Sequence, residues 1–458
     1  MIFPSYIFIL GLLPLSLLGW YGIKNLRARL FFLTAMSYVF YGWWDYRFTL
    51  LMFGTTMLDY VCGLRIHQAA SPRRKRLWLI VSVAGNLSSL GFFKYYDFFV
   101  GSADGLLALL GLRAPLPLLH LVLPLGISFY TFQSMSYTID IYRGISRPTA
   151  DFLHFSAYVS MFPQLVAGPI VRYDLVEQQL ADLPGHQTSF EDIGDGVWLF
   201  VIGLIKKLWI ADRLAPVAQL VFDGKADAQM IAAWAGALAY TFQLYFDFSG
   251  YSDMARGLGK MLGFQFPVNF NSPYKSADIA EFWNRWHITL STWLRDYLFI
   301  PLGGSRGKLG KTLRNLGITM FLGGLWHGAA WNYVIWGLYH GALLMSNAGR
   351  KRFWKTGFPR AAAAPMTFIL VLIGWVMFRA PTIPRALHIY AGMLGLHGIE
   401  PFTYFHKYYQ VMLPSVLEQI RLGGLFNIIA AAAIAFALPN SEELPKPQGV
   451  FWAVVLAA

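Results

Sequence analysis

Cysteine is nearly missing from this chain: Cys62 stands alone among 458 residues. No internal disulfide framework and no thiolate metal cluster can be built from it. Charge is scarce too, with 13% Asp, Glu, Lys and Arg against 56% hydrophobic and 17% aromatic residues. A mean hydropathy of +0.46 lies well above that of soluble globular chains. The chain reads as a polytopic membrane protein. No cation precedes the first apolar run, Tyr6 to Trp20, and Lys24 is the first in the chain. The basic n-region of a cleavable signal peptide is therefore missing. Repeats, low-complexity linkers and a soluble segment are absent as well, so one integral domain over 1–458 is expected. At its end the run 448–458 begins a helix and stops, as a truncated or interfacial segment would.

The motifs of several chemistries are also absent. There is no H-E-x-x-H, no Walker loop, and no histidine followed by aspartate at the fifth position, and the one G-x-S-x-G match, GGSRG at 303–307, follows Pro301 in a glycine-rich run rather than an apolar strand. Serine-nucleophile, zinc and nucleotide-hydrolysis mechanisms are not expected, nor is a bound metal. Lys and Arg number 37 against 24 acids, a net charge of +13, but they cluster in short segments between apolar runs. That is the pattern of a positive cytoplasmic face rather than of a nucleic-acid surface.

What is abundant is apolar sequence. Windows near 5–22, 30–44, 48–64, 77–93, 119–139, 152–168, 196–211, 229–248, 314–346, 364–380 and 424–438 give roughly ten or eleven spans. Several are short or carry Gly or Pro, which predicts tilted, broken or re-entrant helices. Lys24, Arg27 and Arg29 follow the first window, and Arg65, Arg73, Arg74, Lys75 and Arg76 follow the third. Placing both groups in the cytoplasm puts the N-terminus outside.

Within FLGGLWHGAAWNYVIWGLYHG, His327 stands between Trp326 and Gly328 in an almost uncharged stretch. An ionisable side chain at membrane depth is costly and marks a candidate functional site. A neutral imidazole, with a usual pKa of ~6.5, takes a proton from an alcohol, as acyl transfer to a hydroxyl requires. Gly323, Gly324 and Gly328 let a ligand or another backbone approach. Spacing alone leaves open whether His327 is a base or a packed core residue. His340 follows thirteen residues on. On one unbroken helix the two would be ~20 Å apart and share no reacting atom.

The segment SPYKSADIAEFWNRWHITLSTWLRDYLFIPLGG predicts an amphipathic helix capped at Ser276 and ended near Pro301. Phe282, Trp286, Leu290, Trp293, Leu294 and Tyr297 recur on one side; Arg285, Thr289, Thr292, Arg295 and Asp296 occupy others. His287 lies either against headgroups or beside His327. In LYFDFSGYSDMARGLG, Asp247 and Asp253 are either an acid–base pair or structural, capping a helix break at Phe248–Gly250 or pairing with Arg256. In FPQLVAGPIVR a helix end closes on a loop, and Arg172 is an anion holder or a snorkelling cation.

FPQLVAGPIVR, LYFDFSGYSDMARGLG, EFWNRWHITLSTWLRDY, GGLWHG and the late GWVMFRA together resemble the membrane-bound O-acyltransferases, and within them the bacterial branch serving alginate O-acetylation. The resemblance runs in order from about residue 30 to 380. It implies an all-α polytopic fold, with re-entrant and interfacial helices around a central tunnel. It carries the catalytic histidine over to His327 and the second polar position to His287. Trp326, Gly328, Trp286, Arg285, Trp293, Asp247, Asp253 and Asn332 become candidates for the substrate or tunnel lining. The implied activity is transfer of an acetyl group from a cytoplasmic donor, acetyl-CoA, across the bacterial inner membrane for O-acetylation of alginate, cellulose or a related exopolysaccharide. No permanent cofactor is implied; membrane lipid and extracytoplasmic acetyltransferases are the implied partners. Transfer of D-alanine or of acetyl to peptidoglycan is the neighbouring alternative. A flippase for a lipid-linked sugar and a non-catalytic scaffold are alternatives from other classes.

Overall fold

A computed structural model describes residues 1–112, 117–182, 189–225, 228–353, 358–399 and 423–445. The run 448–458 lies outside the described residues. Every regular element among those described is a helix, and the chain groups into two compact units.

The first unit holds Met1–Val201 and Ser252–Pro267. Three helices form its polar centre: α1 (Arg47–Gln68), α2 (Pro72–Leu90) and α3 (Ile127–Arg143). Ser71 caps α2 by accepting from the Arg74 N–H, with Pro72 in the first turn, where its missing N–H costs nothing. Gly126 and Gly144 bracket α3 at φ 73° and 75°, a left-handed conformation that favours glycine. Asp59 of α1 is fully buried between these helices. It accepts from Ser82 Oγ at 2.6 Å, from Asn86 Nδ2 at 2.8 and 2.9 Å, and from Ser134 Oγ. Elsewhere in the unit FPQLVAGPIVR forms the short helix Phe162–Leu165 and then a loop, as its Pro and Gly spacing predicts.

The second unit holds Ile202–Tyr251 and Val268–Pro445. Helix α4 (Met230–Met261) runs without interruption through Phe248, Ser249 and Gly250, contrary to the expected break. Gly250 serves close approach instead: a side-chain carbon there would lie 2.6 Å from the Gly203 carbonyl oxygen.

The predicted amphipathic helix is two short ones, α5 (Ile279–Arg285) and α6 (Ile288–Leu294), followed by a π-helical turn, Arg295–Phe299. Its cap is Asp278 rather than Ser276: Asp278 accepts from the Ala280 and Glu281 N–H groups at 2.9 and 3.0 Å, while Ser276 Oγ donates to the Pro273 carbonyl. The window 314–346 also divides. Helix α7 (Leu309–His327) ends at Gly328, and α8 (Trp331–Phe353) returns against it. Gly324 and Gly337 make this hairpin possible. A side-chain carbon on Gly324 would lie 2.4 Å from the Tyr333 carbonyl oxygen and 2.9 Å from Gly337 Cα. Helix α9 (Arg360–Arg379) packs on α8.

Among the described residues, Pro72–Leu109 and Arg360–Arg379 are long and apolar enough for a membrane crossing, and Ile7–Gly22 and Gly424–Ala437 are shorter apolar helices. The roughly ten or eleven spans expected from the windows are mostly not of this kind. Polar side chains such as Asp59, Thr55 and Asn332 sit inside the remaining helices, and breaks such as those at His287 and Gly328 shorten others.

Candidate active site

Breaking the chain at Trp286–His287 and again at Gly328 brings three histidines into one row of rings within the second unit. His287 lies 6.2 Å from Trp326, centroid to centroid, and Trp326 lies 5.0 Å from His327. His327 is 5.0 Å from Trp336, and Trp336 is 4.8 Å from His340. Two tryptophans thus alternate with three imidazoles. His327 ends α7 and is half-buried, whereas His287 and His340 are 1% and 0% exposed. It is the accessible member of the row. Phe378 of α9 packs edge-on against it at 5.2 Å.

His287 occupies the hinge between α5 and α6 with φ 44°, a left-handed conformation that costs a non-glycine residue energy. Its Nδ1 lies 3.2 Å from Asn269 Oδ1. That oxygen also accepts from the Thr289 N–H at 3.2 Å and the Thr289 hydroxyl at 3.0 Å. An atom receiving a backbone N–H is the amide oxygen, so His287 donates through Nδ1 and carries its lone pair on Nε2. Phe248 stands edge-on to the ring at 4.7 Å. His287 is therefore a held interior residue beside Trp326, not one facing headgroups.

Trp326 is part of the row, and Gly328 lies at its edge: a side-chain carbon on Gly328 would meet the Tyr333 ring at 2.2 Å. The glycines around His327 thus admit the protein's own backbone and rings. Trp286 is buried one ring further out, 4.9 Å from Trp375 and 5.1 Å from Phe270. Asn332 is buried and donates to the Ala380 carbonyl at 2.9 Å, tying α8 to the end of α9 near Phe378. Trp293 is buried and packs at 5.1 Å on Tyr297, outside the row.

Three charged candidates belong to ion pairs. Arg285 binds Glu281 at 3.0 Å and the Asn271 carbonyl at 3.2 Å; Arg295 pairs with its neighbour Asp296. Asp247 binds Lys207 at 2.6 Å, which also holds Asp212 at 2.8 Å, so its partner is not Arg256. Asp253, further along the same helix, is buried. Arg172, in the first unit, is half-buried immediately before the helix Tyr173–Asp182.

Sequence reasoning missed Asn269, Phe378 and Trp336. Asn269 carries no signal, being eighteen residues from the histidine it orients. The ~20 Å separation of His340 from His327 holds for one unbroken helix, and the chain forms two.

The row supplies imidazole bases in an aromatic surrounding, which suits proton removal from a hydroxyl as a carbonyl is attacked. Comparison with known proteins agrees. Residues 146–382 match the model of the membrane-bound O-acyltransferase family. The "Probable alginate O-acetylase AlgI" of Pseudomonas aeruginosa is 48% identical over 401 residues, 86% of this chain and 75% of that protein. The "Peptidoglycan O-acetyltransferase" of Helicobacter pylori is 39% identical over 492 aligned positions, 99% of this chain and 92% of that protein. The "Teichoic acid D-alanyltransferase" of Streptococcus thermophilus is 28% identical over 283 residues, 56% of this chain and 68% of that protein. The chain belongs to the membrane-bound O-acyltransferase family, and its enzymatic activity is O-acyl transfer.

Proposed function

We propose that this enzyme transfers acetyl groups for O-acetylation of a secreted polysaccharide, alginate first and cellulose or a related polymer next. In this reading the chain sits in the bacterial inner membrane with its N-terminus outside, takes acetyl from cytoplasmic acetyl-CoA, and hands it on to extracytoplasmic acetyltransferases. The observation that carries it is His327, a half-buried imidazole at a helix end, ringed by Trp326, Trp336 and Phe378. As the acceptor hydroxyl oxygen bonds to the acetyl carbon, its proton passes to His327; the carbon–sulfur bond breaks, and the leaving thiolate recovers that proton. General-base help of this kind is worth about 10²- to 10⁴-fold in rate. His287, oriented by Asn269, aids in placing the thioester. The aspartates and arginines in ion pairs hold the fold.

A second reading, acetyl transfer to peptidoglycan, is favoured by the Helicobacter pylori relative, which aligns along nearly the whole of both chains. The two separate in a deletion strain complemented with the wild-type gene. Ester-linked acetate restored on the exopolysaccharide supports the first reading; acetate restored only on peptidoglycan replaces it with the second. Acetate restored on neither polymer, with the protein present in the membrane, rejects both.

A further inference from the structure

Three rings, one of them against His327, bury more nitrogen than they satisfy. Trp283 of α5 and Trp336 and His340 of α8 form a triangle with centroid separations of 5.8, 5.4 and 4.8 Å. Trp336 is the ring that also touches His327 at 5.0 Å. Trp283 is 6% exposed, and Trp336 and His340 are 0% exposed. Among the described residues, Trp283 Nε1, Trp336 Nε1 and both nitrogens of His340 have no hydrogen-bond partner. Leaving one buried donor or acceptor unsatisfied costs about 1–3 kcal/mol, so such groups are rare and seldom adjacent. Phenylalanine would fill each position without that cost. Gly374 packs closely on the same ring: a side-chain carbon there would lie 2.8 Å from His340 Nε2, so a larger residue at this position would press on that nitrogen.

Indole nitrogens only donate, and a neutral imidazole offers one donor and one acceptor. The triangle therefore presents up to three N–H groups in a water-poor setting. That chemistry suits a carbonyl oxygen, and more so the negative charge it gains when its carbon is attacked. We propose that Trp283, Trp336 and His340 form a subsite for the carbonyl oxygen of the transferred acyl group, set beside the base His327. The inference rests on the acyl-transfer reading and assigns a binding role to residues that lie outside the family's catalytic histidine. In the reaction the triangle takes no proton. It holds the oxygen while the acyl carbon passes from sulfur to the acceptor hydroxyl.

The test compares His340→Phe, His340→Gln and His327→Ala in the complemented deletion strain, reading ester-linked acetate per unit of membrane-inserted protein and the melting temperature of each purified protein. His340→Phe keeps a ring and removes two buried nitrogens. Its melting temperature is expected at or above that of wild type, while acetate falls about 100-fold, as when one oxyanion donor is lost. His340→Gln, which restores a donor and an acceptor without the ring, is expected to transfer more acetate than His340→Phe. Acetate within about twofold of wild type in His340→Phe, or a higher value in Phe than in Gln, overturns the subsite and leaves a packing residue or a structural water, since a full oxyanion donor is worth far more than twofold. If His340→Phe does not reach the membrane, Trp336→Phe and Trp283→Phe, each removing a single N–H, decide by the same threshold. His327→Ala separates the two claims. Acetate lost there but kept in the triangle variants rejects only the subsite, and acetate kept in His327→Ala rejects the acyl-transfer site itself.

Discussion

Two buried polar clusters, one in each unit, differ in how their hydrogen bonds are spent. Around Asp59, both carboxylate oxygens are filled by Ser82, Asn86 and Ser134 from two neighbouring helices. Around His327, rings meet rings, and nitrogens of Trp283, Trp336 and His340 have no partner among the described residues. A closed network fixes how helices pack; an open one holds capacity for something that comes and goes. The contrast assigns architecture to the first cluster and chemistry to the second, on grounds independent of the relatives.

The largest stability effect should come from opening the closed network. Asp59→Ala leaves the donors of Ser82, Asn86 and Ser134 without their acceptor, at about 1–3 kcal/mol for each one that finds no other. Thermal unfolding in detergent should show a sharp drop, with transfer per folded molecule preserved. A smaller effect separates two glycines. Gly324→Ala pushes a methyl group into the Tyr333 carbonyl and Gly337, and should cost about 1–3 kcal/mol as overpacking. Gly54→Ala in α1, where no atom lies within 4 Å, should be neutral or stabilising by about 0.5–1 kcal/mol. Equal melting temperatures for the two would show that the α7–α8 hairpin does not depend on close backbone approach.

The smallest effect is a pH dependence at the α5 cap, outside the long helices. Burial pushes the Asp278 carboxyl up, but the Lys351 ammonium at 2.9 Å and the N–H groups of Glu281 and Ala280 outweigh it and hold it below the ordinary carboxylate range. A lowered folded value means the stabilisation is complete above the unfolded pKa of about 3.9 and fades as pH falls through the lower folded one. Asp278→Asn should lower stability slightly at neutral pH and flatten the acid limb, so that the variant and wild-type curves converge below about pH 4. An acid limb identical to wild type would remove Asp278 from that account.

The sequence made the components of the site legible but not their assembly. His327 and His287 stood out because an imidazole among glycines and tryptophans is costly in an apolar setting. The row that unites them needed two backbone events with weak local signals. His287 adopts φ 44°, and nothing in RWHITLS announces a left-handed non-glycine residue there. Gly328 ends α7 inside a window apolar enough to be read as one helix. Conversely, Gly250 was read as a break when it serves the close approach of Gly203. Hydrophobic periodicity reports which face is buried, and it does not tell a glycine that ends a helix from one that lets another backbone draw near.

The most direct test sets His327→Ala beside Asp59→Asn in one deletion strain, with ester-linked acetate, membrane level and melting temperature read for both. The account predicts that His327→Ala melts like wild type and loses acetate at least 100-fold, a loss within the range for a general base. It predicts that Asp59→Asn melts lower and keeps its transfer per folded molecule. The opposite pattern, with acetate surviving in His327→Ala and vanishing in fully folded Asp59→Asn, would contradict it and move the chemistry to the first unit.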